Sequence, residues 1–166
     1  MRISIKTEEE RKLLYKCGII FIMLVGLDQL TKYLIVANPD LIHKPLVVIP
    51  GLFNIVSTRN TGAAWGMFHG NNVILFLVAF TAFFILIIFF RSITEKCPER
   101  YIALTLVLSG IAGNSIDRLF RKSVVDFLDF YIGSYHWPAF NVADSAICIG
   151  VFLLVLSFLL RKPLQR

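Results

Sequence analysis

Three runs of this chain are too long and too apolar for the remainder to wrap. Val73 to Phe90 passes 18 residues without a charge, and Tyr101 to Ile116 and Ser145 to Leu160 pass 16 each. A helix that crosses a bilayer needs about 20 predominantly apolar residues. A fourth run, Cys17 to Val36, is interrupted near its end by Asp28, Gln29 and Lys32. With 57% hydrophobic residues and a mean hydropathy of +0.72, too little polar sequence remains to cover such helices in water. The chain therefore reads as a mainly α, polytopic membrane protein. Its four transmembrane helices fall at about 17–36, 73–90, 101–117 and 141–160, in a single domain, 1–166. No low-complexity tract or repeat divides it. The first run is kept as a helix because Leu34-Ile35-Val36-Ala37 offers no small-x-small cleavage site and Asp28 and Lys32 interrupt its exit.

Basic residues give the orientation. With four spans, segments 1–16, 91–100 and 161–166 share one side and carry 11 Lys/Arg, against 5 in segments 37–72 and 117–144. The positive-inside rule puts both termini in the cytoplasm and both longer loops outside. The net charge of +6 then faces anionic lipid headgroups and needs no nucleic acid to explain it. Cys17, Cys97 and Cys148 are odd in number, lack metal-ligand spacing and fall where disulfides are not expected. The first outer loop, about 44–68, has β character. Leu46-Val47-Val48-Ile49 and Leu52 to Thr58, parted by Pro50-Gly51, form a hairpin pattern. An open sheet edge cannot lie in lipid, so this small sheet belongs on the outer surface, resting on the helices.

Two aspartates stand where the apolar chain meets water: Asp126 in Val124-Val125-Asp126-Phe127 and Asp144 in Phe140-Asn141-Val142-Ala143-Asp144-Ser145-Ala146. Charge is costly there and calls for a reason. Two carboxyls brought together at a partly dry site split their affinities for protons and provide one acid and one base. Asp117 lies 17 residues after Arg100, and Asp144 17 residues before Arg161. At 1.5 Å per residue both lie roughly 25 Å from the inner basic anchors, just beneath the outer boundary. Asp126, in the loop that returns from Asp117, can come back to that level. Asn141 and Asp144 share a face of the last helix's first turn, where the helix N-terminus favours a carboxylate. Pro138 suits a helix start, and capping alone would also account for Asn141.

The remaining polar groups admit structural roles. Asp28 and Lys32 stand four apart in the favourable acid-first order, which fits a satisfied pair and leaves substrate contact open. Gly110 and Gly113 give a smooth face for close helix packing. Asn114 and Asp117 share a helical face, and Arg118 can pair with a carboxylate or reach a lipid headgroup. In Arg59-Asn60-Thr61-Gly62-Ala63-Ala64-Trp65-Gly66 the small residues permit tight turns and close approach by a ligand, while Trp65 suits an interfacial position.

Five blocks together resemble the lipoprotein signal peptidase (signal peptidase II) family: Asp28-Gln29-Leu30-Thr31-Lys32, the Arg59 to Gly66 segment, Gly113-Asn114-Ser115-Ile116-Asp117-Arg118, Val124 to Phe127 and Phe140 to Ala146. They occur in family order from the first helix to the last. The resemblance implies a monomeric bacterial aspartic endopeptidase of the cytoplasmic membrane, with four transmembrane helices and an extracytoplasmic β-cradle. Such an enzyme removes signal peptides from prolipoproteins just before a cysteine that carries diacylglycerol. It further implies Asp126 and Asp144 as the catalytic dyad and no metal or organic cofactor. Asp28, Lys32, Asn60, Gly62, Asn114, Asp117, Arg118 and Asn141 fall at positions that shape the site. Prolipoproteins and membrane lipids are the implied partners, and globomycin-type peptides the implied inhibitors.

The residues agree with that chemistry. His43, His69 and His136 lie in the outer loops away from any motif serine, so no Ser/His/Asp constellation forms. A proton- or cation-coupled transporter would set its acids near the midplane and use paired repeats, which this chain lacks. A non-catalytic assembly or lipid-binding protein would explain the helices and little else.

Overall fold

The computed structural model describes residues 2–62 and 70–161, with side chains from residue 8 onward. Ala63, Ala64, Trp65, Gly66 and His69 lie outside the described residues. The protein is mainly helical with a small antiparallel sheet, as the sequence implies. Helix α1 spans Arg2–Val36, α2 Asn72–Ile88, α3 Phe90–Thr94, α4 Pro98–Phe120 and α5 Val142–Leu160. Among the described residues, three helical segments, Glu8–Val36, Pro98–Phe120 and Val142–Leu160, are long and apolar enough to cross a membrane. The apolar α2, at 17 residues, is shorter; its rise of 1.5 Å per residue gives about 25 Å.

Helix α1 begins at Arg2, well before the apolar run at Cys17. Its leader is rich in Glu, Lys, Arg and Leu and contains neither Gly nor Pro, so propensity carries the helix onward. Glu10 accepts a hydrogen bond from the Tyr101 hydroxyl at 3.1 Å and pairs with Arg91 at 3.7 Å, tying the leader to α3 and α4. Between α3 and α4 the chain reverses through Glu95 and Lys96, both left-handed, and Pro98 opens α4 where its missing N–H costs nothing.

Helix α4 is the hub: twelve of its 23 residues are buried, and it packs against α1, α2 and α5. Helices in lipid gain nothing from hiding apolar surface, so close backbone approach must hold them together. Small residues permit it. A Cβ on Gly110 would lie 2.2 Å from the Ala143 carbonyl oxygen, and one on Gly150 would lie 2.6 Å from that of Ala103. Helix α2 has no buried residue and turns apolar side chains outward.

The sheet joins the two outer loops in the order β1 (Leu46–Ile49), β2 (Phe53–Asn60), β3 (Val124–Ile132) and β4 (Tyr135–His136), with each neighbouring pair antiparallel. The expected hairpin is β1–β2, turning through Gly51 at φ +80°. The nine-residue β3 departs from expectation: Asp126 sits on a strand, opposite Thr58, and not in a returning loop. A register shift between Ile55 and Thr58 bends β2 beside it. Beneath the sheet, Val125 and Phe127 pack with Ile35 at the end of α1 and with Leu41 in the 3-10 turn Pro39–Ile42.

The α4–α5 contact gives a direct prediction. Gly110→Ala should destabilise the protein by about 1–3 kcal/mol, because backbone and not a flexible side chain opposes the new methyl. Gly18→Ala, with nothing within 4 Å, should leave stability unchanged or slightly raised. Thermal unfolding in detergent checks this, and equal midpoints for the two variants would contradict the packing.

Candidate active site

The end of α4, the start of α5 and strands β2 and β3 enclose a cavity of about 890 Å³. Asp126, Asp144, Asn60, Asn114 and Arg118 all line it, so five of the residues singled out in the sequence share one space. Trp137, Pro138, Ala139, Phe140, Ile147 and Cys148 give it a largely apolar wall.

Asp144 reaches its place through a helix start. Asn141 caps α5: its side chain accepts the Asp144 N–H at 2.9 Å, and Asp144 Oδ2 accepts the Asn141 N–H at 3.3 Å. This reciprocal capping box fixes the carboxylate against the helix N-terminus. Its other oxygen accepts from Asn114 Nδ2 at 2.7 Å. Asp126 is held across the sheet. Asn60 Nδ2 donates to its Oδ2 at 3.0 Å, and Asn141 Nδ2 to its Oδ1 at 2.7 Å. Asn141 therefore serves both carboxylates, one as cap and the other as donor.

Burial pushes the Asp126 carboxyl up to about 6, and the negative charge of Asp144 adds to the effect. Hydrogen bonds from Asn60 and Asn141 and the charge on Lys32 oppose it only in part. The site thus keeps a proton available near neutral pH, as acid–base chemistry with two carboxyls requires.

Behind the cavity lies a second polar layer. Lys32 is fully buried, and its ammonium donates to Asp28 Oδ2 at 2.9 Å, Asp117 Oδ2 at 3.0 Å and Asn114 Oδ1 at 2.9 Å. Asp28 Oδ1 accepts the Ala143 N–H at 3.0 Å, which ties α1 to the first turn of α5. Asp117 Oδ2 accepts the Val125 N–H at 3.1 Å, which ties α4 to β3. Asp28, Lys32 and Asp117 do not line the cavity. They hold the elements that do.

Two partners escaped the sequence reading. Asp117 pairs with Arg121, one helical turn away, and not with the adjacent Arg118, which points to a different side of the helix. That i, i+4 spacing was the available signal. Gln29 donates to Asp28, the Gly113 carbonyl and Asp117, and its own oxygen accepts from Arg121. Arg118 instead donates to the Gly62 carbonyl at 3.1 Å, and its buried Nε has no partner among the described residues. The Gly62 N–H donates to Asn60 Oδ1 at 2.9 Å, so Gly62 braces both.

The two buried acids respond oppositely to neutralisation. Asp126 binds its proton more tightly folded than unfolded, so its contribution to stability falls as pH rises from about 4 to about 6. Its full cost, at most about 3 kcal/mol, is present above that range. The stability of Asp126→Asn relative to the parent should therefore improve by up to that amount between pH 4 and 7.5. Asp117→Asn leaves Lys32 and Arg121 undercompensated and should cost about 3–5 kcal/mol at neutral pH. Unfolding midpoints measured across pH test both, and a pH-independent difference for Asp126→Asn would refute the first.

The fold and this geometry have counterparts. The sequence profile of the family described as Signal peptidase (SPase) II matches residues 20–160. A lipoprotein signal peptidase of Bacillus pumilus (strain SAFR-032) is 42% identical over 142 residues, which cover 86% of this chain and 91% of that protein. A bacterial membrane enzyme solved by the in meso method at 2.3 Å superposes with a TM-score of 0.80 at 35% identity, over 91% of this chain and 94% of the other. A second such structure, at 1.9 Å, gives a TM-score of 0.78 at 37% identity, over 89% and 94%. By sequence and by fold, the chain belongs to the signal peptidase II family of aspartic-type membrane peptidases.

Proposed function

We propose that this protein removes the signal peptide from prolipoproteins by cutting just before a diacylglyceryl-modified cysteine, with Asp126 and Asp144 as the catalytic dyad. The observation that carries the reading is the pair of carboxylates on one cavity, Asp126 buried and Asp144 half-buried, each held by side-chain amides and neither consumed by a salt bridge among the described residues. One carboxylate takes a proton from water, whose oxygen attacks the scissile carbonyl carbon. The protonated partner donates to the developing oxyanion, and a proton then passes to the leaving amine. The apolar wall from Trp137 to Phe140, with Ile147 and Cys148, suits a substrate whose acyl chains remain in lipid. Asn60, Gly62, Asn114, Arg118 and Asn141 act as the frame of the site, and Asp28, Lys32 and Asp117 as its support.

Purified protein should cleave a diacylglyceryl-modified prolipoprotein in detergent and leave the unmodified precursor intact; equal cleavage of both would end the lipid-dependent reading. Asp126→Asn and Asp144→Asn should each abolish turnover while the protein remains folded, since asparagine keeps the shape but exchanges no proton. Near-normal turnover in either would end the dyad mechanism.

The 11 to 5 bias in Lys/Arg supports cytoplasmic termini and a site at the outer face. A membrane-impermeant thiol reagent applied from outside should modify single cysteines placed at Asn71 and Ser134 but not at Glu95. The reverse pattern would invert the orientation and put the site on the wrong side for an exported substrate.

A further inference from the structure

Three asparagine side chains face the carboxylate pair, and each is prevented from turning around. Asn60 Oδ1 accepts the Gly62 N–H at 2.9 Å, Asn141 Oδ1 the Asp144 N–H at 2.9 Å, and Asn114 Oδ1 the Lys32 ammonium at 2.9 Å. With the oxygens so occupied, every Nδ2 points at a carboxylate. Asn60 and Asn141 donate to Asp126, at 3.0 and 2.7 Å, and Asn114 donates to Asp144 at 2.7 Å.

The pins differ in kind. Asn60 and Asn141 are set by neutral backbone donors, whereas Asn114 is set by a buried cation, with a longer bond from Asn141 Nδ2 at 3.2 Å beside it. An ammonium has three N–H donors and no acceptor, and the three found here go to Asp28, Asp117 and Asn114. A flipped Asn114 would set its NH₂ against the ammonium and its oxygen against the Asp144 carboxylate. Charge therefore fixes the amide at both ends and strengthens its donation to Asp144. Asp144 also occupies the first turn of α5, where a helix N-terminus favours negative charge. Asp126, on a strand, has neutral amides and no helix end.

We propose that Lys32 is a positioning residue that acts through Asn114, and that together they make Asp144 the member that enters the cycle ionised, leaving the shared proton on Asp126. The proposal rests on the dyad reading above and assigns its roles. Asp144 takes a proton from the attacking water as the new C–O bond forms, and Asp126 gives its proton to the carbonyl oxygen. As the C–N bond breaks, Asp144 passes its proton to the leaving nitrogen. Asp126 then recovers a proton from the diol oxygen as the carboxyl product forms.

The test is the pH dependence of kcat/KM on a lipidated substrate, whose acidic limit reports the base and alkaline limit the acid. Asn114→Leu should raise the acidic limit by about one pH unit and leave the alkaline limit in place, since a hydrogen bond to an ionised group contributes about that much. Asn60→Ala should do the converse. Exchanged effects, or limits unmoved in both variants, would overturn the assignment. Asn114→Ser serves the same purpose if leucine unfolds the protein.

Lys32→Gln should raise the acidic limit in the parent, and by clearly less in the Asn114→Leu background, where only the through-space charge of the ammonium remains to be lost. Additive shifts would show that Lys32 acts by another route and overturn its positioning role. If Lys32→Gln does not survive purification, Lys32→Met is compared in the same two backgrounds, while the contrast between Asn114 and Asn60 decides the roles of the two acids. Retained turnover in Asp126→Asn or Asp144→Asn would instead refute the dyad, an outcome distinct from any shift of limits.

Discussion

A lysine with no exposure to solvent, inside a bundle surrounded by apolar helices, governs much of this structure. An unpaired ammonium there would be untenable. Lys32 is stable because three acceptors meet its three donors, and because Asp28, Asp117 and Arg121 complete a cluster of two negative and two positive charges. Each acceptor also serves a second element: Asp28 holds the first turn of α5, Asp117 holds β3, and Asn114 holds Asp144. Such a network carries a desolvation cost that apolar packing would avoid. What it supplies is geometry, because four elements are fixed by directional bonds where the lipid-facing contacts have none.

The site inherits its form from those fixed elements. Asp144 is at once part of a helix cap and a wall of the cavity, so the bonds that start α5 also aim the carboxylate. Asp126 owes its place to strand pairing, with Thr58 opposite and Asn60 two residues on. Neither acid stands on a free loop. A carboxylate pair on mobile segments would separate under its own repulsion, and these are held by backbone.

The helices and the chemistry of the motifs were open to reading because charge-free runs are unambiguous and because paired acids near an apolar boundary demand an explanation. Strand β3 was not. Val124, Val125, Asp126 and Phe127 are all buried, so the alternation that marks a half-exposed strand is missing from the part that matters. The start of α1 was misplaced for a related reason: hydropathy marks where a helix enters lipid, and its polar leader is helical without an apolar run to signal it. Arg121 went unassigned beside a more conspicuous arginine, although helical spacing favoured it as the partner of Asp117.

The sheet joins β2, which precedes α2, to β3, which follows α4. Asn60 can meet Asp126 only after the intervening α2, α3 and α4 have found their positions, and Asp144 joins them only when α5 packs on α4. A chain arrested part-way through insertion therefore holds isolated carboxyls with no partner and no cavity. The carboxylate pair and its cavity are thus a property of the finished topology and of no single segment.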